Sequence, residues 1–357
     1  VFLVNVPVGI ATIGVTYWKL RESRDPNASR IDWGGVVTFS AALLVLVFAL
    51  VRGNDEGWGS TLIVSLLAAG ALLMAAFIAI ERRVAEPMLP LGLFRSGAFT
   101  GVQIAAFAVS ASMFSLFLYL TLYLQNFLGY SAIEAGLRYL PITVGAFVLA
   151  PISGMALAKV QARYLMAGGL GLTGIGLLLM AGLHLDSGWT ALLGGFIVSG
   201  IGIGLLNPVI ADVALSVVPK ERSGMAAGIN DTFRQVGVAV GTAAYGAIFL
   251  GLGASKAQSL AGGAVDHDQA RNLVEATSSG ALPQALAGLP ASARDTVRHA
   301  TEEGFLHGLN EILVIGGILC LVGTGFALWL VREREIDRGE VGASRDAPLE
   351  AEPVPAQ

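Results

Sequence analysis

Apolar residues in this chain fall into long blocks separated by short charged or glycine- and proline-containing connections. A helix crosses the hydrocarbon layer with about 20 such residues. By that rule nine blocks read as spanning helices: 1–18, 33–51, 60–80, 98–125, 134–158, 164–184, 188–217, 224–252 and 307–331. The uncharged run 96–133 is too long for one upright helix and too short for two with a turn. It predicts one tilted helix ending near Gln125 and Asn126. The pattern as a whole predicts an all-α polytopic membrane protein. Two stretches fall outside the spans. In 253–306, rich in Ala, Gly and Ser, the part 291–303 predicts a short amphipathic helix lying on the membrane surface. The tail 332–357 is charged and then Pro-, Ala- and Glu-rich, a composition that predicts disorder.

Composition supports this and excludes other classes. Hydrophobic residues make up 54% and charged residues 13%, with a mean hydropathy of +0.70. A soluble domain carries about 25% charged residues, so a soluble enzyme is excluded. The 46 glycines suit close helix packing in lipid. Cys320, the single cysteine, excludes a disulfide scaffold. A net charge of -4 and a pI near 5.6 argue against a nucleic-acid partner.

The placement of positive charge orients the spans. Fifteen Lys and Arg lie in 19–30, 81–96, 159–163, 218–223 and the tail, against five in the connections on the other side. The first set, with the tail, is predicted to be cytoplasmic. Nine spans then place residue 1 outside. The run 1–18 lacks the basic region and cleavage site of a signal peptide. Parity predicts an odd number of further spans upstream, so the chain is expected to be a fragment.

Several motifs bear on chemistry. Gly169, Gly171 and Gly174 fit G-x-G-x-x-G, but within an apolar span and without the strand and acid of a dinucleotide site; they predict helix packing. Gly200, Gly202 and Gly204 precede Pro208, a pattern that reads either as a tight kinked seam or as a hinge for alternating access. Asp212, one turn past Pro208, is a candidate proton or cation binder, or an acid hydrated from the cytoplasmic mouth. Asp231 and Arg234 (i,i+3), and Glu134 and Arg138 (i,i+4), have the spacing of ion pairs on one helix face. Glu311 sits in the first turn of the last span, where the helix dipole favours an acid. Gln103, Gln125, Asn126, Asn207, Asn230 and Gln235 add polar side chains to a candidate cavity. HExxH, CxxC, P-loop and nucleophile-elbow motifs are absent, which predicts neither metal nor cofactor.

Five segments together resemble the fourteen-span drug:proton antiporter branch of the major facilitator superfamily. They are VFLVNVPVG at 1–9; LYLQNFLGYS at 122–131 continuing to Ala135, Gly136, Leu137 and Pro141; Gly200 to Pro208; Val218 and Pro219 through Gly224, Gly228, Asn230, Arg234, Gln235 and Gly237; and FLHG at 305–308. The resemblance implies a partial major facilitator fold. Segment 1–18 would be the last helix of the first half, and 19–96 two extra linker helices with cytoplasmic loops. Segment 97–331 would be the six-helix second half with external loop 253–306, and 332–357 the tail. It further implies a bacterial inner-membrane exporter of hydrophobic or cationic small molecules, driven by protons. Asp212, Asn207, Gln125 and Asn126 would serve coupling and the cavity, and the two candidate ion pairs the gate. A periplasmic adaptor is left undetermined. One departure stands out: Ala158 and Gln161 replace the acid and glycine of the second half's gate motif. The rival readings are export of an endogenous metabolite, lipid precursor or self-made antibiotic, and a truncated product without transport. A polytopic membrane enzyme is disfavoured by the lack of clustered His, Cys or paired acids.

Overall fold

The computed structural model describes residues 3, 5–19, 32–84, 87–219 and 222–336. Among them the chain is helical, without strands. The helices are α1 (Asn5–Lys19), α2 (Trp33–Glu56), α3 (Thr61–Glu81), α4 (Gly97–Val109), α5 (Ser115–Leu122), α6 (Ala132–Arg138), α7 (Leu140–Ala156), α8 (Ala162–Met180), α9 (Leu193–Ser216), α10 (Ser223–Leu260), α11 (His267–Ser278), α12 (Leu282–Ala287) and α13 (Ala291–Leu330). Starts are set by side-chain caps. Asp32 accepts from the Gly35 amide at 2.8 Å, Ser60 from Ile63 at 3.3 Å and Ser96 from Phe99 at 3.2 Å.

Seven of these helical stretches are long and apolar enough to cross a membrane, or eight if the bent pair α6–α7 counts as one span. Pro141 enters α7 just past the 41° break, where its ring cannot continue the hydrogen bonding of α6. The ninth expected span, 1–18, lies partly outside the described residues. Among the described residues α1 has 15, or about 22 Å at 1.5 Å per residue, and buries none of them. The uncharged run becomes one continuous helix, Gly97–Phe127, in which π turns at Ser110–Phe114 and Tyr123–Phe127 flank α5.

α4 and α7–α10 pack with α13 into one bundle, and the α2–α3 hairpin leans on it through α10. Glycines mark where backbones touch. A Cβ on Gly200 would meet the Ile142 carbonyl at 2.5 Å, one on Gly202 the Thr173 hydroxyl at 2.5 Å, and one on Gly204 the Ala146 carbonyl at 2.8 Å. α9 is thus clasped between α7 and α8. The expected packing role of Gly169 and Gly174 holds, since they abut Gly202 and Gly317.

Two expectations about the non-membrane parts are corrected. Residues 291–303 do not form a separate surface helix; they are the first turns of α13, which runs 40 residues without interruption. α10 likewise continues to Leu260 over 38 residues. At 1.5 Å per residue these helices are about 57–60 Å long, twice the roughly 30 Å hydrocarbon layer. Their ends cross closely where Gly304 meets the Gly253 carbonyl, and with α11 and α12 they build an ordered helical cap. Its core includes Ala257, Val265, Leu273, Val274, Val297 and Ala300. The tail, expected to be disordered from residue 332, begins with an ordered 3-10 turn, Glu333–Glu335; residues 337–357 lie outside the described part.

Candidate functional site

Polar side chains concentrate on one stretch of α10, residues 230–235. Asn230 is buried and donates through Nδ2 to Oε1 of Gln103 on α4, at 3.2 Å. The Gln103 Nε2 is buried without a partner. One turn on, Arg234 donates to Oδ1 of Asn207 on α9 at 3.2 Å, and its guanidinium lies 5.5 Å from the Phe114 ring. Asn207 directly precedes Pro208, where α9 has lost a backbone donor. Ser153 of α7 donates to the nearby Leu205 carbonyl at 2.6 Å. Asp231 and Gln235 line a groove of about 430 Å³ against Leu43 and Val47 of α2.

This arrangement corrects the first candidate ion pair. Asp231 and Arg234 have the right spacing but make no salt bridge with each other; Arg234 turns to α9 and Asp231 to α2. Glu134 and Arg138 are likewise not a carboxylate–guanidinium pair. The Glu134 carboxylate closes a capping box with Ser131, taking the Ser131 amide and hydroxyl at 2.9 Å each. Arg138 donates to the Glu134 carbonyl at 2.9 Å and stacks 3.5 Å over Tyr130. Arg52–Glu56 and Arg298–Glu302 do form i,i+4 salt bridges, at the surface.

The candidate cavity set is not brought together. Gln125 and Asn126 lie in the π turn ending the 97–127 helix, and Asn126 donates to the Ser278 carbonyl of the cap. Asp212 is half-buried on α9, one turn past Pro208, near the opposite end of the helical layer. Asn207 joins Arg234 instead. Gly200, Gly202 and Gly204 form the packing seam already described, and Pro208 lies within the continuous α9. No group of three or more His, Cys, Asp or Glu converges among the described residues.

Sequence reasoning missed two features. Asp32 and Glu81 face each other across Gly35: a Cβ there would lie 2.6 Å from Asp32 Oδ2 and 2.8 Å from Glu81 Oε1. The other is the turn after α13. Glu335 Oε2 accepts from the Ser96 hydroxyl at 2.7 Å and the Ala98 amide at 3.0 Å, capping α4 from outside its own sequence. Glu333 Oε2 accepts from the Ala162 amide of α8 at 3.1 Å. The Ala98 amide and the Ser96 hydroxyl hold the Glu335 carboxyl below the usual carboxylate range. The alternating Arg332, Glu333, Arg334 and Glu335 just past a span was the available signal.

Long apolar helices, glycine seams and a few buried polar contacts define a polytopic helical membrane protein. Within that class the chain belongs to the Major Facilitator Superfamily, whose profile matches residues 1–242. It is 30% identical over 342 residues to the tetracenomycin C resistance and export protein of Streptomyces glaucescens, covering 94% of this chain and 63% of that protein. It is 31% identical over 340 residues to the multidrug resistance protein Stp of Mycobacterium tuberculosis, covering 93% and 63%. The chain thus spans 63% of the length of these relatives. Among solved structures, a bacterial homolog of the human lysosomal transporter Spinster aligns at a TM-score of 0.48 and 15% identity, covering 92% of this chain and 71% of that one.

Proposed function

We propose that this chain is part of a proton-coupled exporter of hydrophobic or cationic small molecules that works by alternating access in the bacterial inner membrane. The observation that carries the reading is the Arg234–Asn207 contact at the proline of α9, set in a bundle whose relatives are named for drug resistance and export. A cation held between two helices beside a helix proline can exchange partners as the helices rock. Asp212, on the same helix, is the residue assigned to proton coupling within the chain. The fourteen-span branch fits the lengths: the nine spans expected from the sequence are about the share of fourteen that this chain covers of its relatives, 63%. Segment 1–18 is then the last helix of the first half, α2 and α3 the linker helices, and 97–331 the second half.

A second reading, export of a self-made antibiotic, draws support from two relatives, the tetracenomycin C protein and a probable actinorhodin transporter of Streptomyces coelicolor. One experiment addresses both. The complete protein is reconstituted in vesicles with an imposed pH gradient, and uptake of a cationic dye and of tetracenomycin C is followed. Transport that persists after a protonophore collapses the gradient sinks the antiport reading; tetracenomycin C transport without dye transport selects the second.

A further inference from the structure

A cavity of about 710 Å³ lies between the α2–α3 hairpin, α10 and the loop before α4. Its size falls within the roughly 300–1,000 Å³ of ligand sites. Its walls are not those of a drug site, which carries a few placed polar groups. Here Phe39, Phe77, Met88, Phe94, Met225 and Phe233 are typical of the lining. Thr232 brings the one side-chain hydroxyl, and that is spent on the Gly228 carbonyl at 2.9 Å. Whatever fills the cavity is therefore hydrocarbon where it is buried, and any polar part lies outside.

The outside is cationic. Arg82 and Arg83 directly follow α3, with Arg82 one turn beyond Ile78 of the cavity wall. Arg95 closes the 3-10 turn Leu91–Arg95, which contributes Leu91 and Phe94. All three arginines are exposed. Among the described residues the nearby acids are turned inward: Glu335 is held by Ser96 and Ala98, and Asp32 and Glu81 face each other inside the hairpin, where Glu81 is 4% exposed and accepts from the Leu89 amide at 3.3 Å, bracing the cavity wall. An apolar slot between helices long and apolar enough to cross a membrane, rimmed by exposed arginines, matches one chemistry at hand. We propose that the cavity holds an acyl chain of an anionic phospholipid, whose phosphate lies among Arg82, Arg83 and Arg95. The site is separate from the Arg234–Asn207 contact and does not depend on what the protein exports.

The test is native mass spectrometry of the full chain with added phosphatidylglycerol or phosphatidylcholine. The wild type should retain one phosphatidylglycerol, held about tenfold or more tightly than phosphatidylcholine, as expected for several arginines near an anionic headgroup. Gly228→Leu adds a side chain where nothing lies within 4 Å of the new Cβ, so it fills the cavity without a backbone clash. It should lower retention of both lipids at least tenfold. Arg82→Gln/Arg83→Gln/Arg95→Gln should keep a lipid but lose the preference. Leu43→Phe, from the opposite wall, repeats the first arm, and unchanged thermal unfolding identifies the folded variants. Equal retention of the two lipids by the wild type, or folded filling variants that hold phosphatidylglycerol like the wild type, overturns the proposal. So does a wild type that carries no phospholipid but binds a lipophilic dye in this cavity.

Discussion

Removing the carboxylate of Glu335 should loosen the basic end of the bundle by a calculable amount. Its Oε2 receives the Ser96 hydroxyl and the Ala98 amide, and Ser96 in turn accepts from Phe99, so one carboxylate holds the whole first turn of α4. A helix cap contributes about 1 kcal/mol, and a negative charge at a helix N-terminus typically 0.3–1 kcal/mol. With Glu335 half-exposed, Glu335→Ala should therefore cost about 1–2 kcal/mol. Glu335→Gln, which keeps an acceptor and loses the charge, should cost roughly half of that. The assay is thermal unfolding of the detergent-solubilised protein, where 1 kcal/mol corresponds to about 2–4 °C for a domain of comparable size. The pH dependence has a definite sign. Because the folded carboxyl titrates below its unfolded value of about 4.3, its contribution is fully present above that value and is lost as pH falls through the folded pKa. The gap between wild type and Glu335→Gln should be constant from pH 8 to 5 and close in more acid solution. Unfolding of Glu335→Ala at the wild-type temperature, or a gap that widens as the pH falls below 5, would refute the reasoning.

Gly202→Leu should cost more than 3 kcal/mol and abolish folded yield, because its Cβ would lie 2.6 Å from the Gly169 carbonyl; Gly251→Leu, with open space around it, is the control. Asp212→Asn in the complete protein should still bind substrate while losing its dependence on the pH gradient, and normal pumping across the pH range would remove the coupling assignment. Cysteines at Ser223 and Ser259, with Cys320 replaced, should differ in labelling by an impermeant thiol reagent in intact cells. Ser259 should react and Ser223 should not, and the reverse pattern would invert the orientation.

The spans were legible because the hydrocarbon thickness dictates their length and apolar composition, leaving the sequence little freedom. The cap was not, because its polarity is that of any exposed connection. What turns residues 291–303 into an extension of α13 is the crossing of Gly304 on Gly253, a contact between residues 51 apart. The candidate ion pairs failed for a related reason. Spacing of i,i+3 or i,i+4 states which side chains can meet, but not which competitors stand nearer. Ser131 three residues before Glu134 is a capping-box signature that was readable and outcompetes Arg138. The partner of Arg234 lies 27 residues away on another helix, and no local pattern encodes it.

That competition also explains how α10 ties the molecule together. Successive residues on a helix turn by about 100°, so Asn230 and Arg234 (i,i+4) share one face of α10, and Asp231 and Gln235 another. Asn230 meets α4, Asp231 lines the groove with α2, and Arg234 meets α9. Two turns on, Gly241 lies against the Ala111 carbonyl at the first π turn, where a Cβ would approach to 2.3 Å. The wall of the apolar cavity, from Met225 to Val236, is built from the same turns. A displacement of α10 that releases Arg234 from Asn207 must therefore also shift the groove at Asp231 and reshape the cavity against the α2–α3 hairpin. If the bundle rocks as proposed, the hairpin moves with it, and a molecule bound in its cavity would act on the same helix that carries the polar turn.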